Sequence, residues 1–547
     1  MWDGNRKQAT AELAQRANWA DGSALAEDLS VSGNVADYLL AGKSPSRTAL
    51  ILLDGEHTYG ELQTASYEVA KHLIRTGGRK GDRVLLVSEN SFFWVACYLG
   101  TLRAGMVCVP LPVHLPAEDL DYIVQITDAR FAFLQSGFAE KHANRFSQTS
   151  IGVDREVTGA SALSAVTFAK LRSESAAAGT ELPGVNANDL AALMFTSGST
   201  GRPRGVMISH GNIMANTDSI VEYLGLTQRE RIMTVLPFHY CFGTSLLHSH
   251  LRVGGSLVLD SRFMYPQKVL QRMRETRCSG FAGVPSHYQI LLRRSGLAKM
   301  SFPDLRYVQQ AGGHLAPSFI RELREALPGV KVFVMYGQTE ATARLSYLPP
   351  EHLDKKPGSI GKGIPGVTLH VADESGQPVG PGLVGEVVAH GANIACGYWR
   401  DPVSSARKFR KGGLYTGDLA TVDEEGFIFI VDRATDFLKC GGNRVSCRQI
   451  EERLLEFEGL VEAAVIGIPD EILGEAVKAF VVPGVTDSDS IEERLRLFCK
   501  THMPAQWVPK EIVVLQTLPK NSAGKILKQV LKKAVGPETG ILASPRK

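Results

Sequence analysis

The run LAALMFTSGSTGRPRGVMISHGNI sets Thr196, Ser197, Gly198, Ser199, Thr200, Gly201 and Arg204 between two apolar segments. Glycines let backbone N–H groups turn toward one point, the hydroxyls add short donors, and Arg204 adds a positive charge. Those residue types suit a polyphosphate. A flexible linker is the alternative, but linkers are seldom placed between two strongly apolar runs. No G-K-[ST] closes the loop, so it is not a Walker loop. Tyr336, Gly337, Thr339 and Glu340, in YGQTE, follow the apolar run Val332 to Met335. A flat aromatic face suits a purine, and a carboxylate is a hard oxygen ligand for an ion that also binds phosphate. Asp418, in LYTGDLATVDEEGFIFIVDR, has acceptor capacity for more than one hydroxyl at once, as a ribose requires.

The elements that must position these residues alternate helix and strand. Thr58 to Glu61 has capping-box spacing ahead of an amphipathic run to Arg75, and Arg83 to Ser88 reads as a short apolar strand. A helix through Phe92 to Ala104, a strand at Met106 to Pro110 and a helix after Pro116 follow, the pattern of a largely parallel sheet covered by helices. Residues 141–188 are rich in Ser, Ala, Thr and Gly and read as an irregular connection. From Gly361 to Asp432, short β runs divided by Gly, Pro and Asp predict a small β unit. Beyond Arg433, a helix over Gln449 to Phe457, strands over Val461 to Ile468 and Val477 to Val482, and a helix over Ile491 to Cys499 predict a compact α+β module. The final stretch GPETGILASPRK reads as a frayed tail.

At 547 residues the chain is too long for one ordinary core, so two domains are expected, residues 1–432 and 433–547. With 44% hydrophobic residues, 21% charged and a net charge of +3, it is a soluble globular protein, and nothing favours a nucleic-acid partner. The N-terminus has no apolar core like that of a secretory signal, and Phe92 to Leu102 is too short to span a bilayer, so no transmembrane segment and a cytoplasmic location are expected. The eight cysteines form no C-x-x-C pair; they read as reduced and structural.

TSGSTGRPRG resembles the nucleotide loop of the adenylate-forming superfamily, which comprises acyl-CoA synthetases, the adenylation domains of peptide synthetases and luciferases. YGQTE, the TGD segment with Arg433, and PKNSAGKILK with Lys525 resemble further motifs of that superfamily in the same order, and the likeness runs from about Val35 to Lys528. It implies an α/β fold: a large N-terminal domain of two helix-flanked sheets with a β-barrel-like part, and a small mobile α+β C-terminal domain. The implied substrates and cofactors are ATP, Mg²⁺, a small-molecule carboxylic acid, and coenzyme A or the phosphopantetheine of a carrier protein. Tyr336 would lie against adenine with Gly313 and His314 nearby, Thr339 would meet the α-phosphate, and Glu340 would hold the metal. Asp418 and Arg433 would take the ribose. Lys525 would reach the nucleotide site during adenylation, where an ammonium can position the attacking carboxylate and offset developing charge. Rotation about a hinge in DRATD would then bring Lys439 to Ser446 into the site, with Gly441 and Gly442 allowing close passage of a pantetheine arm.

His239 stands where the amino-acid-activating branch carries an aspartate, which disfavours an α-amino acid and resembles the acyl-CoA synthetase branch, whose histidine lines the channel and gates the thiol. The expected activity is therefore that of an AMP-forming acid–thiol ligase using a fatty, aryl or other non-α-amino acid. A stand-alone ligase loading a carrier protein is the first alternative, and a catalytically inactive nucleotide-binding homologue the second. Two positions depart from the superfamily pattern: Arg204 replaces the usual lysine, and Thr435 stands at the pivot, where Asp436 could take part in its place.

Overall fold

The computed structural model describes residues 33–534 except 147–148, 158–164, 176–179, 197–201, 434–436, 441–442, 471–472, 485–490 and 522–523. Two sheets organise the larger part. One has seven strands, in the order Ala165–Thr167, Ser150–Val153, Phe131–Leu134, Arg83–Val87, Val107–Leu111, Leu190–Thr196 and Arg204–Ser209. All its pairs are parallel except the last, where Leu190–Thr196 and Arg204–Ser209 run antiparallel. The other has nine strands, with Tyr307–Gln310, Gly280–Gly283, Arg231–Thr234 and Ser256–Leu259 parallel at its centre. Parallel strands need helical crossovers, which here cover the sheets and bury near-continuous apolar runs such as Val84 to Val87.

Between the sheets lies a single apolar core to which both contribute, Val84 and Leu86 from one and Leu50, Ile232 and Leu257 from the other. The helix Phe92–Arg103 crosses it and is buried from Phe93 to Arg103. Its terminal guanidinium is not left bare: Arg103 bonds Ser66 Oγ at 2.9 Å, pairs with Asp37 and lies over the Tyr67 ring. The helix Tyr59–Arg75 packs alongside and starts with the capping box that the spacing of Thr58 and Glu61 predicts.

A five-stranded antiparallel unit follows, Val367–Ala372, Gly385–Gly391, Phe409–Arg410, Gly413–Val422 and Ile428–Arg433. The smaller C-terminal domain is built on Phe437–Cys440, Asn443–Ser446, Leu460–Asp470, Gly474–Pro483 and Glu511–Val514. The helices Cys447–Leu454 and Ile491–His502 bury Ile450, Leu454, Leu495 and Cys499 against that sheet.

The structure differs from the sequence reading within residues 141–188. Ser150–Val153 and Ala165–Thr167 add two parallel strands to the seven-stranded sheet, and Phe168–Ser175 is a helix. Strands of four and three residues are too short to show a period. The tail, which the sequence reads as frayed, lies outside the described residues. Among the described residues no helix is long and apolar enough to cross a membrane. All eight cysteines are free, and all but Cys396 are buried.

Candidate active site

Thr196 ends one strand and Arg204 opens the next, and the two are register partners across the antiparallel pair. Ser197, Gly198, Ser199, Thr200 and Gly201, the tip between them, lie outside the described residues. Arg204 lies over the Tyr398 ring at 5.6 Å and 3.6 Å from Asp401 Oδ2. The Tyr398 hydroxyl donates to Glu340 Oε1 at 2.6 Å. Burial first, and the Glu340 charge second, push the Tyr398 phenol well above its ordinary pKa, so it remains a donor. One aromatic ring thus joins the cation of the glycine-rich segment to the carboxylate of YGQTE.

Tyr336 is the last residue of the strand Lys331–Tyr336, and its hydroxyl donates to Asp418 Oδ2 at 2.5 Å. Asp418 is paired in register with Arg433 on the neighbouring strand, so the two lie side by side on the β unit. Thr339 and Glu340 form a single 3₁₀ turn, where Thr339 Oγ1 lies 3.4 Å from Cys241 Sγ. Gly337 has a packing reason as well: a Cβ there would stand 1.9 Å from the Ala343 carbonyl oxygen.

His239 lies just before Tyr240, the N-cap of the helix Cys241–Val253, and burial lowers its pKa to about 4, which leaves the ring neutral at pH 7. A Cβ on Gly312 would meet Val284 at 2.9 Å and the Tyr240 hydroxyl at 3.8 Å, which places the 311–314 turn against Tyr240 and Val284. Gly313 accepts from Gln310 Nε2 at 2.7 Å. Both ring nitrogens of His314 face the small domain: Arg448 Nη2 lies 2.6 Å from Nδ1 and Glu452 Oε1 lies 2.6 Å from Nε2.

Lys525 belongs to a turn closed by Asn521 N–H to the Lys525 carbonyl and Lys525 N–H to Asn521 Oδ1, both 2.9 Å. Gly524, in the left-handed region at φ +81°, accepts at its carbonyl from Ser286 Oγ at 3.0 Å, and its backbone approaches Val284. The turn therefore docks on the start of the helix Pro285–Arg294, beside the residue that supports Gly312. Lys439 lies in the strand Phe437–Cys440, register partner of Arg444; Gly441 and Gly442 lie outside the described residues.

The arrangement joins a glycine-rich segment, an aromatic–carboxylate pair, an oriented glutamate and a basic turn from the smaller domain. The family model of the AMP-binding enzyme matches residues 40–399, and that of the AMP-binding enzyme C-terminal domain matches residues 449–525. The chain belongs to the AMP-binding enzyme family. A feruloyl-CoA synthase of Amycolatopsis is 32% identical over 91% of this chain and 97% of its own length. A long-chain-fatty-acid–CoA ligase of Salmonella typhimurium is 28% identical over 87% and 89% respectively. A crystal structure of an anthranilate CoA ligase with anthranoyl-AMP superposes with a TM-score of 0.83 at 26% identity, covering 93% of this chain and 98% of the other. This AMP-binding enzyme is an AMP-forming acid–thiol ligase of the acyl-CoA synthetase branch.

Sequence reasoning missed Tyr398, Asp401, Arg448 and Glu452. Tyr398 touches Glu340 from 58 residues away, so no local spacing signals the contact. Arg448 falls just before the helix predicted from Gln449, and only the docked small domain brings it and Glu452 to His314.

Proposed function

We propose that this enzyme activates a non-α-amino carboxylic acid with MgATP as the acyl-adenylate, releasing pyrophosphate, and passes the acyl group to the thiol of coenzyme A. The docking of the Lys525 turn on Ser286 carries the reading. It brings the basic turn of the small domain to the wall formed by Val284, Gly312 and Tyr240.

In the first step Thr196 and Arg204, with the loop between them, restrain the phosphates. Tyr336 faces the adenine, and Asp418 with Arg433 takes the ribose. Glu340, one oxygen of which Tyr398 fixes, would hold the magnesium ion and supply a hard oxygen ligand beside the phosphates. The ion enters as part of MgATP. Lys525 holds the acid's carboxylate near the α-phosphorus while the bond to the β-phosphate oxygen breaks, and Thr339 faces the same phosphate. His239, neutral at pH 7, lines the acid side without adding a second cation there. In the second step the thiol sulfur attacks the acyl carbon and AMP leaves. We assign this step to a rotated small domain, pivoting within DRATD at 432–436, in which Lys439 with Gly441 and Gly442 replaces Lys525.

Half-reactions test this assignment. Lys525→Ala is expected to slow acid-dependent pyrophosphate exchange by about 10²–10³-fold, the loss seen when one transition-state donor is removed. Thiolation of a supplied acyl-adenylate by coenzyme A should survive. Equal loss in both half-reactions would overturn the two-conformation reading, and activity only with phosphopantetheinylated carriers would replace coenzyme A as the acceptor.

A further inference from the structure

Arg344 lies four residues after Glu340 and is only 1% exposed. Its backbone is pinned, because its carbonyl accepts from Asn216 Nδ2 at 3.2 Å and Asn393 Nδ2 at 2.7 Å. The guanidinium lies over the face of Phe242 at 4.2 Å, on the first turn of the helix Cys241–Val253, and it donates a hydrogen bond to the Tyr223 hydroxyl. Its charge is felt at the Cys241 thiol, whose sulfur touches Thr339 Oγ1. Arg344 thus stands behind the turn that carries Thr339 and Glu340, against the helix that starts beside His239.

Beyond that bond to Tyr223, Nε and Nη2 have no hydrogen-bond partner among the protein's described atoms, and no described carboxylate pairs with the guanidinium. A guanidinium stays charged at every accessible pH, and a ring face offsets only part of its lost hydration. A second observation points the same way. Gln309, fully buried in the strand Tyr307–Gln310, leaves both amide atoms unpartnered. It is in register with Ala282 and Phe333, and the Phe333 ring lies 6.2 Å from that of Tyr223. Interiors seldom leave such groups unmatched: water, an ion or a ligand completes them, and a buried cation without a carboxylate calls for an anion.

We propose that Arg344 is a specificity-determining residue that pairs with a second carboxylate carried at the far end of the acid, so that the preferred substrates are dicarboxylic acids. This rests on the acid-activating reading above. The test is pyrophosphate exchange with aliphatic and aromatic dicarboxylic acids, each set against its monomethyl ester and the monoacid of equal length. At least one diacid should exceed its half-ester by about tenfold or more in kcat/KM, since a site built to pair a polar group rejects the analogue lacking it. Arg344→Leu should erase that preference through KM while sparing the half-ester, and Arg344→Lys should restore part of it. Half-esters or monoacids matching their diacids throughout the panel would overturn the proposal, as would an Arg344→Leu loss shared equally by both. If Arg344→Leu does not fold, the wild-type comparison alone decides. Exchange with monoacids only would sink this inference and leave the activation chemistry standing; no exchange with any acid would sink both.

Discussion

Arg448→Met is expected to slow adenylation by loosening the small domain from the position that holds Lys525. Arg448 gives Nη2 to His314 at 2.6 Å, Nη1 to the Ile430 carbonyl at 2.8 Å and Nε to Glu452, on its own helix, at 2.9 Å. The first two bonds join the small domain to the rest of the chain. A hydrogen bond to a charged group contributes about 1.5–3 kcal/mol, and two would contribute about 3–6. Arg448, His314 and Glu452 keep 15%, 23% and 31% of their side chains exposed, and methionine retains the apolar stem, so the docking loss is set at about 1.5–3 kcal/mol. That is about 10- to 150-fold in the docking equilibrium. Single-turnover formation of acyl-adenylate should fall by a comparable factor, with thiolation of a supplied adenylate unchanged. The pH dependence gives a second readout. His314 accepts from the guanidinium at Nδ1, so its proton sits on Nε2, facing Glu452 Oε1; burial, then the Arg448 charge, lowers its pKa. Undocked, the ring titrates near its ordinary value of about 6.5, so the docked form binds fewer protons and docking weakens as pH falls below that value. Burial works against ionisation of Glu452, but the His314 contact and Arg448 together bring it to about 2, so its contribution is also lost only toward acid. Wild-type adenylation should decline below roughly pH 6.5, and the decline should be shallower in Arg448→Met, where burial still lowers the His314 pKa but the guanidinium no longer does. A variant that melts earlier but keeps both half-reactions and the full acid decline would refute the reasoning.

Tyr398→Phe removes the hydroxyl that orients Glu340. The loss of about 1–2 kcal/mol should raise the Mg²⁺ concentration for half-maximal exchange by roughly 5- to 30-fold, read by magnesium titration at saturating ATP; an unchanged midpoint would dissociate Tyr398 from the ion. His239, lowered to about 4 by burial, charges only as pH falls through that value. His239→Asn should therefore keep the wild-type pH profile between 5 and 8, including any acid decline set by His314. Loss of that decline in the variant would move the titration to His239.

Features written in local spacing were legible in the sequence, and those made by approach of distant segments were not. The capping box of Thr58 and Glu61 spans only four residues, and the strand–loop–strand around Thr196 and Arg204 needs only apolar runs of the right length. The Tyr398–Glu340 bond and the His314–Arg448 contact join residues 58 and 134 positions apart, where a tyrosine or an arginine looks like any surface residue. Gly337 shows the intermediate case. The glycine marks a close approach, but only coordinates reveal the Ala343 carbonyl as the backbone that a side chain would strike. Arg344 is the hardest, because charge in a sequence argues for exposure and nothing nearby contradicts it.

An arginine at 204, where the resemblance implies a lysine, takes on a physical sense in this setting. A compact ammonium at this position would gain little from an aromatic face, whereas a planar guanidinium can lie over the Tyr398 ring and still point a donor at Asp401, as it does at 5.6 Å and 3.6 Å. Tyr398 is bound in turn to Glu340, and its backbone bridges Val206, two residues beyond Arg204 on the same strand. The arginine and the glutamate are therefore set by one side chain at fixed separation, and movement of either is transmitted to the other through a hydroxyl that stays protonated. A lysine at 204 would keep the charge but lose this registration. The arginine is thus matched to its neighbours, and its fork ties the glycine-rich segment to YGQTE.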